Sequence, residues 1–67
     1  MTVGDRVRYA DAVINRCRAG AQLRVSGERG TIMRIDQNAA DTIVWVHWNM
    51  HGTVWELASD LVYDEEA

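Results

Sequence analysis

The chain has 67 residues and a mass of 7.6 kDa, so it holds at most one domain, because so short a chain buries only about 60% of its unfolded surface. Its composition, 48% hydrophobic and 25% charged, excludes a disordered chain, and no apolar run approaches the ~20 residues of a membrane helix. All seven arginines lie in residues 1–34, whereas residues 35–67 hold seven acids and no arginine. The chain is therefore a charge dipole in sequence.

The first residues of the chain lack the basic-then-apolar order of a signal peptide. Cys17 is the lone cysteine, so no disulfide can form within one chain. We therefore expect a cytoplasmic protein in which Cys17 is a buried or incidental thiol. Together with His47 and His51 it makes an incomplete zinc ligand set without a Cys-x-x-Cys pair, so we expect no metal and no cofactor.

The basic half predicts one strand and a long connection. Residues 3–9 alternate in the manner of a strand, with Val3, Val7 and Tyr9 facing a core. Residues 10–19 are compatible either with one short helix that Gly20 ends or with an irregular loop. A short extended piece at 21–25 and a turn cluster at 26–30 complete the predictions for this half.

The acidic half is dominated by strand signals. Its strongest strand contains Trp45, His47 and Trp48 among β-branched residues, and Gly52 marks a hairpin turn because it tolerates a positive φ. The predicted strands are 31–35, 42–48, 53–57 and 62–63, joined by a polar loop at 36–41, a hairpin turn at 49–52 and a tight turn at 58–61. Five short strands without a βαβ rhythm predict an all-β fold, a small antiparallel barrel in one domain (1–63) with a frayed acidic tail (64–67).

The order of short motifs supports this fold. The chain opens with Gly4-Asp5-Arg6-Val7-Arg8 and continues with Gly30-Thr31-Ile32, Val44-Trp45-Val46-His47-Trp48 and Ser59-Asp60-Leu61-Val62. This order resembles the small SH3-like barrels that recur as stand-alone proteins in phages, plasmids and gene cassettes and as KOW- or Tudor-like modules. The resemblance spans nearly the whole chain and implies a five-stranded SH3-like barrel with a long, partly helical first connection. Such barrels host many activities.

One enzyme family shares part of the pattern. The plasmid-borne type II dihydrofolate reductases are SH3-like tetramers with the same Gly-Asp-Arg-Val-Arg opening and a later His-x-Gly-Ser-Val stretch, to which His51-Gly52-Thr53-Val54 is similar without the spacer. Their active-site strand reads Val-Gln-Ile-Tyr, whereas this chain reads Val54-Trp55-Glu56-Leu57. Because the glutamine and tyrosine are absent, the activity does not carry over. We predict a non-enzymatic protein.

The strand at 42–48 suggests how such a protein acts. Alternate side chains of a strand point to opposite faces, and here both faces are largely apolar. Either the connection at 10–22 covers the second face, or that face contacts another protein or a second copy, with aromatic residues as anchors. Since so short a chain supplies little core, we favour a binding module that forms a homo-oligomer. The predicted protein-binding residues are Ile43, Trp45, His47 and Trp55.

Other interpretations of the same residues stay open. Trp45, Trp55 and Tyr9 are alternatively an aromatic groove for an extended peptide or a methylated side chain. Glu56 is either a proton donor with a raised pKa in its apolar context or the solvated face of an edge strand.

The arginines give the main alternative function, nucleic-acid binding through contacts to phosphates. The net charge of −3 opposes it, and arginines such as Arg6 and Arg34 can instead pair with nearby acids, for example Asp36. The predicted nucleic-acid-binding residues are Arg16, Arg18 and Arg24.

Overall fold

A computed structural model describes residues 1–37 and 41–64. Its elements are β1 (Arg6–Tyr9), α1 (Asp11–Arg16), α2 (Ala19–Gly27), β2 (Gly30–Asp36), β3 (Ile43–Trp48), β4 (Gly52–Leu57), a 3₁₀ turn (Ala58–Asp60) and β5 (Leu61–Tyr63). The five strands form one antiparallel sheet in the order β4-β3-β2-β1-β5, which confirms the predicted β-rich architecture. The sheet is open, with β4 and β5 as its edges. The predicted loop at 36–41 lies partly outside the described residues, as do residues 65–67 of the predicted tail.

The helices in the described part of the chain are too short and too polar to cross a membrane.

β1 begins later than predicted because a turn occupies the start of the chain. The Asp5 N–H donates to the Thr2 carbonyl at 3.1 Å, and the Thr2 N–H donates to the Asp5 carboxylate at 2.8 Å. Val3 lies within this turn and is 64% exposed, so the expectation that it faces the core is wrong. The expectation is confirmed for Val7, which is fully buried, and for Tyr9, which packs against the core.

The connection between β1 and β2 forms two helices rather than one helix or a loop. Cys17 and Arg18 separate them in extended conformation, and the Gln22 side chain donates to the Cys17 carbonyl at 3.1 Å. The extended structure predicted for 21–25 is wrong, because Ala, Gln, Leu and Arg favour a helix. Gly20, expected to end a helix, lies in the first turn of α2, where its N–H has no partner within the helix.

The core lies on the inner face of the curled sheet, and Trp48 at the end of β3 is its largest buried side chain. Its indole stacks on the Tyr9 ring, with 4.3 Å between centroids and 14° between planes. Gly30 of β2 lies directly opposite Trp48, and a Cβ at Gly30 would lie 2.8 Å from Trp48 Cε3. Glycine therefore makes room for the indole. The buried apolar residues are Val7, Ile32, Val44, Val46, Trp48 and Leu61.

A bulge in β2 adjusts which residues of that strand reach the core. The register with β3 shifts between Ile32 and Arg34, which leaves Met33 exposed. As a result Ile32 and Ile35 both pack in the core although they are three residues apart, whereas regular alternation would place them on opposite faces.

Replacing Gly30 with alanine tests the space for the indole. We expect Gly30→Ala to lower the free energy of unfolding by about 1–3 kcal/mol, because the new methyl overpacks the core against Val46 and Trp48. Urea unfolding followed by tryptophan fluorescence measures this. Gly20→Ala is the matched control, since a Cβ at this position in α2 meets open space. We expect it to raise the free energy of unfolding by up to ~1 kcal/mol, because alanine favours a helix more than glycine does. Equal effects of the two substitutions would contradict the packing of Trp48 described above.

Candidate protein-binding face

The register of β3 with β4 builds an apolar surface on the outer side of the sheet. Val44, Val46 and Trp48 are buried, so the side chains that alternate with them along β3 lie on the opposite, outer face, and the predicted division into two faces is confirmed. On β4, Leu57 lies opposite Ile43 and Trp55 lies opposite Trp45. Residues opposite each other in an antiparallel pair share a face. The outer aromatic face therefore consists of Ile43, Trp45, Trp55 and Leu57.

This outer aromatic face is partly open to solvent. Trp55 is 56% exposed, whereas Ile43, Trp45 and Leu57 are half-buried. The main contacts of α1 and α2 are with each other and between α2 and β1. The helical connection therefore packs chiefly elsewhere and leaves an aromatic side chain in water.

Polar side chains border the face on both sides. His47 Nδ1 lies 3.0 Å from Thr53 Oγ1, a hydrogen-bond contact between two residues opposite each other on β3 and β4. On β2, Arg34 forms an ion pair with Asp36 at 3.7 Å, and Arg34 lies opposite Trp45. An apolar centre with a polar border is the common anatomy of a protein interface. Of the four predicted binding residues, His47 thus lies at the border.

Tyr9 lies on the other side of the sheet, so the alternative that groups it with Trp45 and Trp55 in one groove is wrong. Its hydroxyl donates to Glu56 Oε2 at 2.6 Å. Glu56 accordingly faces inward and is half-buried, not on a solvated face. Burial and the bond to Glu56 raise the pKa of Tyr9 well above its ordinary value of 10.0.

A buried carboxylate that sequence reasoning missed lies just before β2. The Glu28 side chain is fully buried, and His51 Nδ1 donates to its Oε2 at 3.0 Å. Glu28 Oε1 and Trp48 Nε1 have no hydrogen-bond partner among the described residues. The sequence does not indicate that Glu28 is buried, because this residue lies in a Ser-Gly-Glu-Arg-Gly cluster that is typical of an exposed turn. The pair ties the start of β2 to the hairpin turn between β3 and β4.

The three residues considered as zinc ligands contact different parts of the structure. His47 contacts Thr53 on the outer side, His51 contacts Glu28, and the Cys17 thiol donates to the Val13 carbonyl at 3.4 Å. Within 1–37 and 41–64, no three histidine, cysteine, aspartate or glutamate side chains are grouped as metal ligands.

The three arginines predicted to bind nucleic acid are spread over the helical connection. Arg16 forms an ion pair with Asp60 at 3.4 Å. Arg18 precedes the first turn of α2 and Arg24 lies in its last turn, a separation of about 9 Å along a helix axis. The structure therefore does not gather them into one compact cluster.

The opposite charges of the two halves of the chain meet in the fold. Besides Arg16 and Asp60, Arg29 pairs with Asp64 at 3.4 Å with both side chains largely buried. The Asp64 N–H also donates to the Arg6 carbonyl at 3.0 Å. Asp64, assigned from sequence to a frayed tail, is thus held by Arg29 and by the backbone of β1.

Comparison with protein-family models, with curated proteins and with solved structures finds no match for this chain.

The raised pKa of Tyr9 predicts a measurable response to alkaline pH. The folded protein holds the Tyr9 hydroxyl proton more tightly than the unfolded chain does. The resulting contribution to the free energy of unfolding is therefore complete below about pH 10 and is lost as the pH rises above that value. We expect the tyrosinate absorbance of the folded protein to match that of a Tyr9→Phe variant through pH 11. In concentrated urea the absorbance of the wild-type protein should exceed that of the Tyr9→Phe variant by the contribution of one tyrosinate. Ionisation of Tyr9 near pH 10 in the folded protein would contradict the buried hydrogen bond to Glu56.

Proposed function

We propose that this protein is a non-enzymatic protein-binding module that associates with a second copy of itself through the outer aromatic face. The observation that carries the proposal is the cross-strand pair of Trp45 on β3 and Trp55 on the edge strand β4, on the outer side of the sheet. Tryptophan is one of the residues enriched among interface anchors. Trp55 of this pair is 56% exposed, a large apolar surface that the core of the single chain leaves in water.

The size of the chain also supports self-association. In the part of the chain that the structure describes, the buried apolar core consists of six residues, and domains of this size commonly gain stability from oligomerisation. A second copy of the chain carries an identical outer aromatic face. A two-fold dimer is the commonest closed assembly of identical chains. Covering Trp55 in a dimer would remove an aromatic surface from water at both copies.

We further propose that the open sheet belongs to the SH3-like class of small barrels. Two observations support this. The fifth strand returns to pair with the first, so that the order is β4-β3-β2-β1-β5. The Tyr9 hydroxyl of β1 reaches Glu56 of β4 at 2.6 Å, although two strands separate β1 from β4 in the sheet. The sheet is therefore strongly curled, as a barrel requires.

The alternative, nucleic-acid binding through Arg16, Arg18 and Arg24, has less support. Arg16 is engaged with Asp60, the other two lie at opposite ends of α2, and the net charge of −3 opposes binding to a polyanion. Binding to DNA or RNA at low salt that weakens steeply with added salt would favour this alternative over the proposal.

Truncating Trp55 tests the proposed function. We expect the wild-type protein to dimerise in sedimentation equilibrium, and Trp55→Ser to weaken the dimer by at least ~30-fold, the effect of removing an interface anchor worth about 2 kcal/mol. Because Trp55 is half-exposed, the thermal unfolding of the monomer should change little. Leu23→Ser is the matched control, since Leu23 is an apolar side chain on α2 with 83% exposure.

Two results would contradict the proposed function. One is a wild-type protein that stays monomeric at millimolar concentration. The other is a dimer that Trp55→Ser and Leu23→Ser weaken equally, which would place the contact outside the outer aromatic face.

A further inference from the structure

The two edges of the sheet differ in how they are protected. β5 has three residues, and short edge strands resist pairing with other chains. β4 has six residues, and its register with β3 is continuous from Gly52 to Leu57, so no bulge turns it away. It contains no lysine, arginine or proline, the residues that commonly block an edge. Its one charged residue, Glu56, faces inward and accepts the hydroxyl of Tyr9.

We propose that the second copy binds by antiparallel pairing of β4 with its own symmetry mate, so that two five-stranded sheets join at this edge. This inference rests on the proposed function and specifies its geometry. Alternate backbone N–H and C=O groups along an edge strand lack partners in the sheet, and a second β4 supplies these partners along the paired length of the strand. The outer aromatic faces of the two copies then lie side by side, so that side chains of β4 from one copy cover part of those from the other.

Symmetry restricts the register of such a pair. A two-fold axis between antiparallel strands places one residue opposite its own copy, so only a few registers exist. Centring on Thr53 or Glu56 leaves only a short overlap, and the latter sets two carboxylates against each other, which is unfavourable. Centring on Val54 or on Trp55 gives the longest overlap.

Gly52 decides between these two registers. A centre at Val54 pairs Gly52 with Glu56 of the second copy, but Gly52 has a φ of 75°, which is not the extended conformation of a regular strand. A centre at Trp55 avoids Gly52 and pairs Thr53 with Leu57 of the second copy. It also places the two copies of Trp55 side by side, flanked by the two copies of Trp45, in a row of four indoles across the joined sheet. The Trp55-centred register is therefore the one we infer.

Hydrogen exchange of the wild-type protein tests the pairing without any substitution. Amides of β4 that do not bond to β3 should exchange at least about tenfold more slowly at a concentration where the protein is dimeric than where it is monomeric. The amides of β5 are the internal control and should not change. A dimer whose β4 amides exchange as fast as those of the monomer overturns the inference and leaves the proposed self-association standing.

Disulfide trapping tests the register. In a Cys17→Ser background, a mass-labelled Thr53→Cys variant is mixed with an unlabelled Leu57→Cys variant and oxidised. The Trp55-centred register brings these positions to about 5 Å between Cα atoms, within disulfide range, so mixed dimers should exceed both homodimers combined by at least about fivefold. A one-to-one ratio of mixed dimers to homodimers, the random result, overturns the register.

The outcomes separate this inference from the proposed function. Absence of a dimer in wild-type protein overturns both. A dimer that depends on Trp55 but shows neither β4 protection nor preferential mixed disulfides overturns only the edge pairing, and indicates that the two outer faces stack on each other. Protection of β4 together with mixed disulfides supports both.

Discussion

The burial of Trp48 is the constraint on which the rest of the structure depends. Its indole needs a glycine opposite it on β2 and a flat ring to stack on, and Gly30 and Tyr9 meet these needs. Stacking holds β1 over the end of β3, and the Tyr9 hydroxyl then reaches Glu56 on β4. One buried side chain thus sets the curl of the sheet, which in turn separates an inner face from an outer one.

The division of the sheet into two faces explains why so small a protein has an aromatic surface that is not part of its core. The inner face takes Val44, Val46 and Trp48 from β3, and this uses the space available within one curled sheet. The apolar residues that alternate with them are only partly covered, since the main contacts of the helices are with each other and with β1. An apolar surface that is only partly covered is a surface suited to a partner.

Charge has a structural role in this fold. The ion pairs between Arg16 and Asp60 and between Arg29 and Asp64 join the basic half of the chain to the acidic half. The first pair joins α1 to the 3₁₀ turn. The second joins Arg29, the residue before β2, to Asp64, the residue after β5. Part of the opposite charge of the two halves is thus paired within the fold.

The strands of the acidic half, the positive φ of Gly52 and the grouping of Ile43, Trp45 and His47 on one face followed from the sequence, because β-propensity and a two-residue period are local properties. The tertiary structure decided what depends on contacts between distant residues. It stacked Tyr9 on Trp48, buried Glu28 against His51, and used a bulge to bring Ile35 into the core. It also paired Trp45 with Trp55. No local pattern encodes these, since each depends on the curl and register of the sheet, which only the complete packing determines.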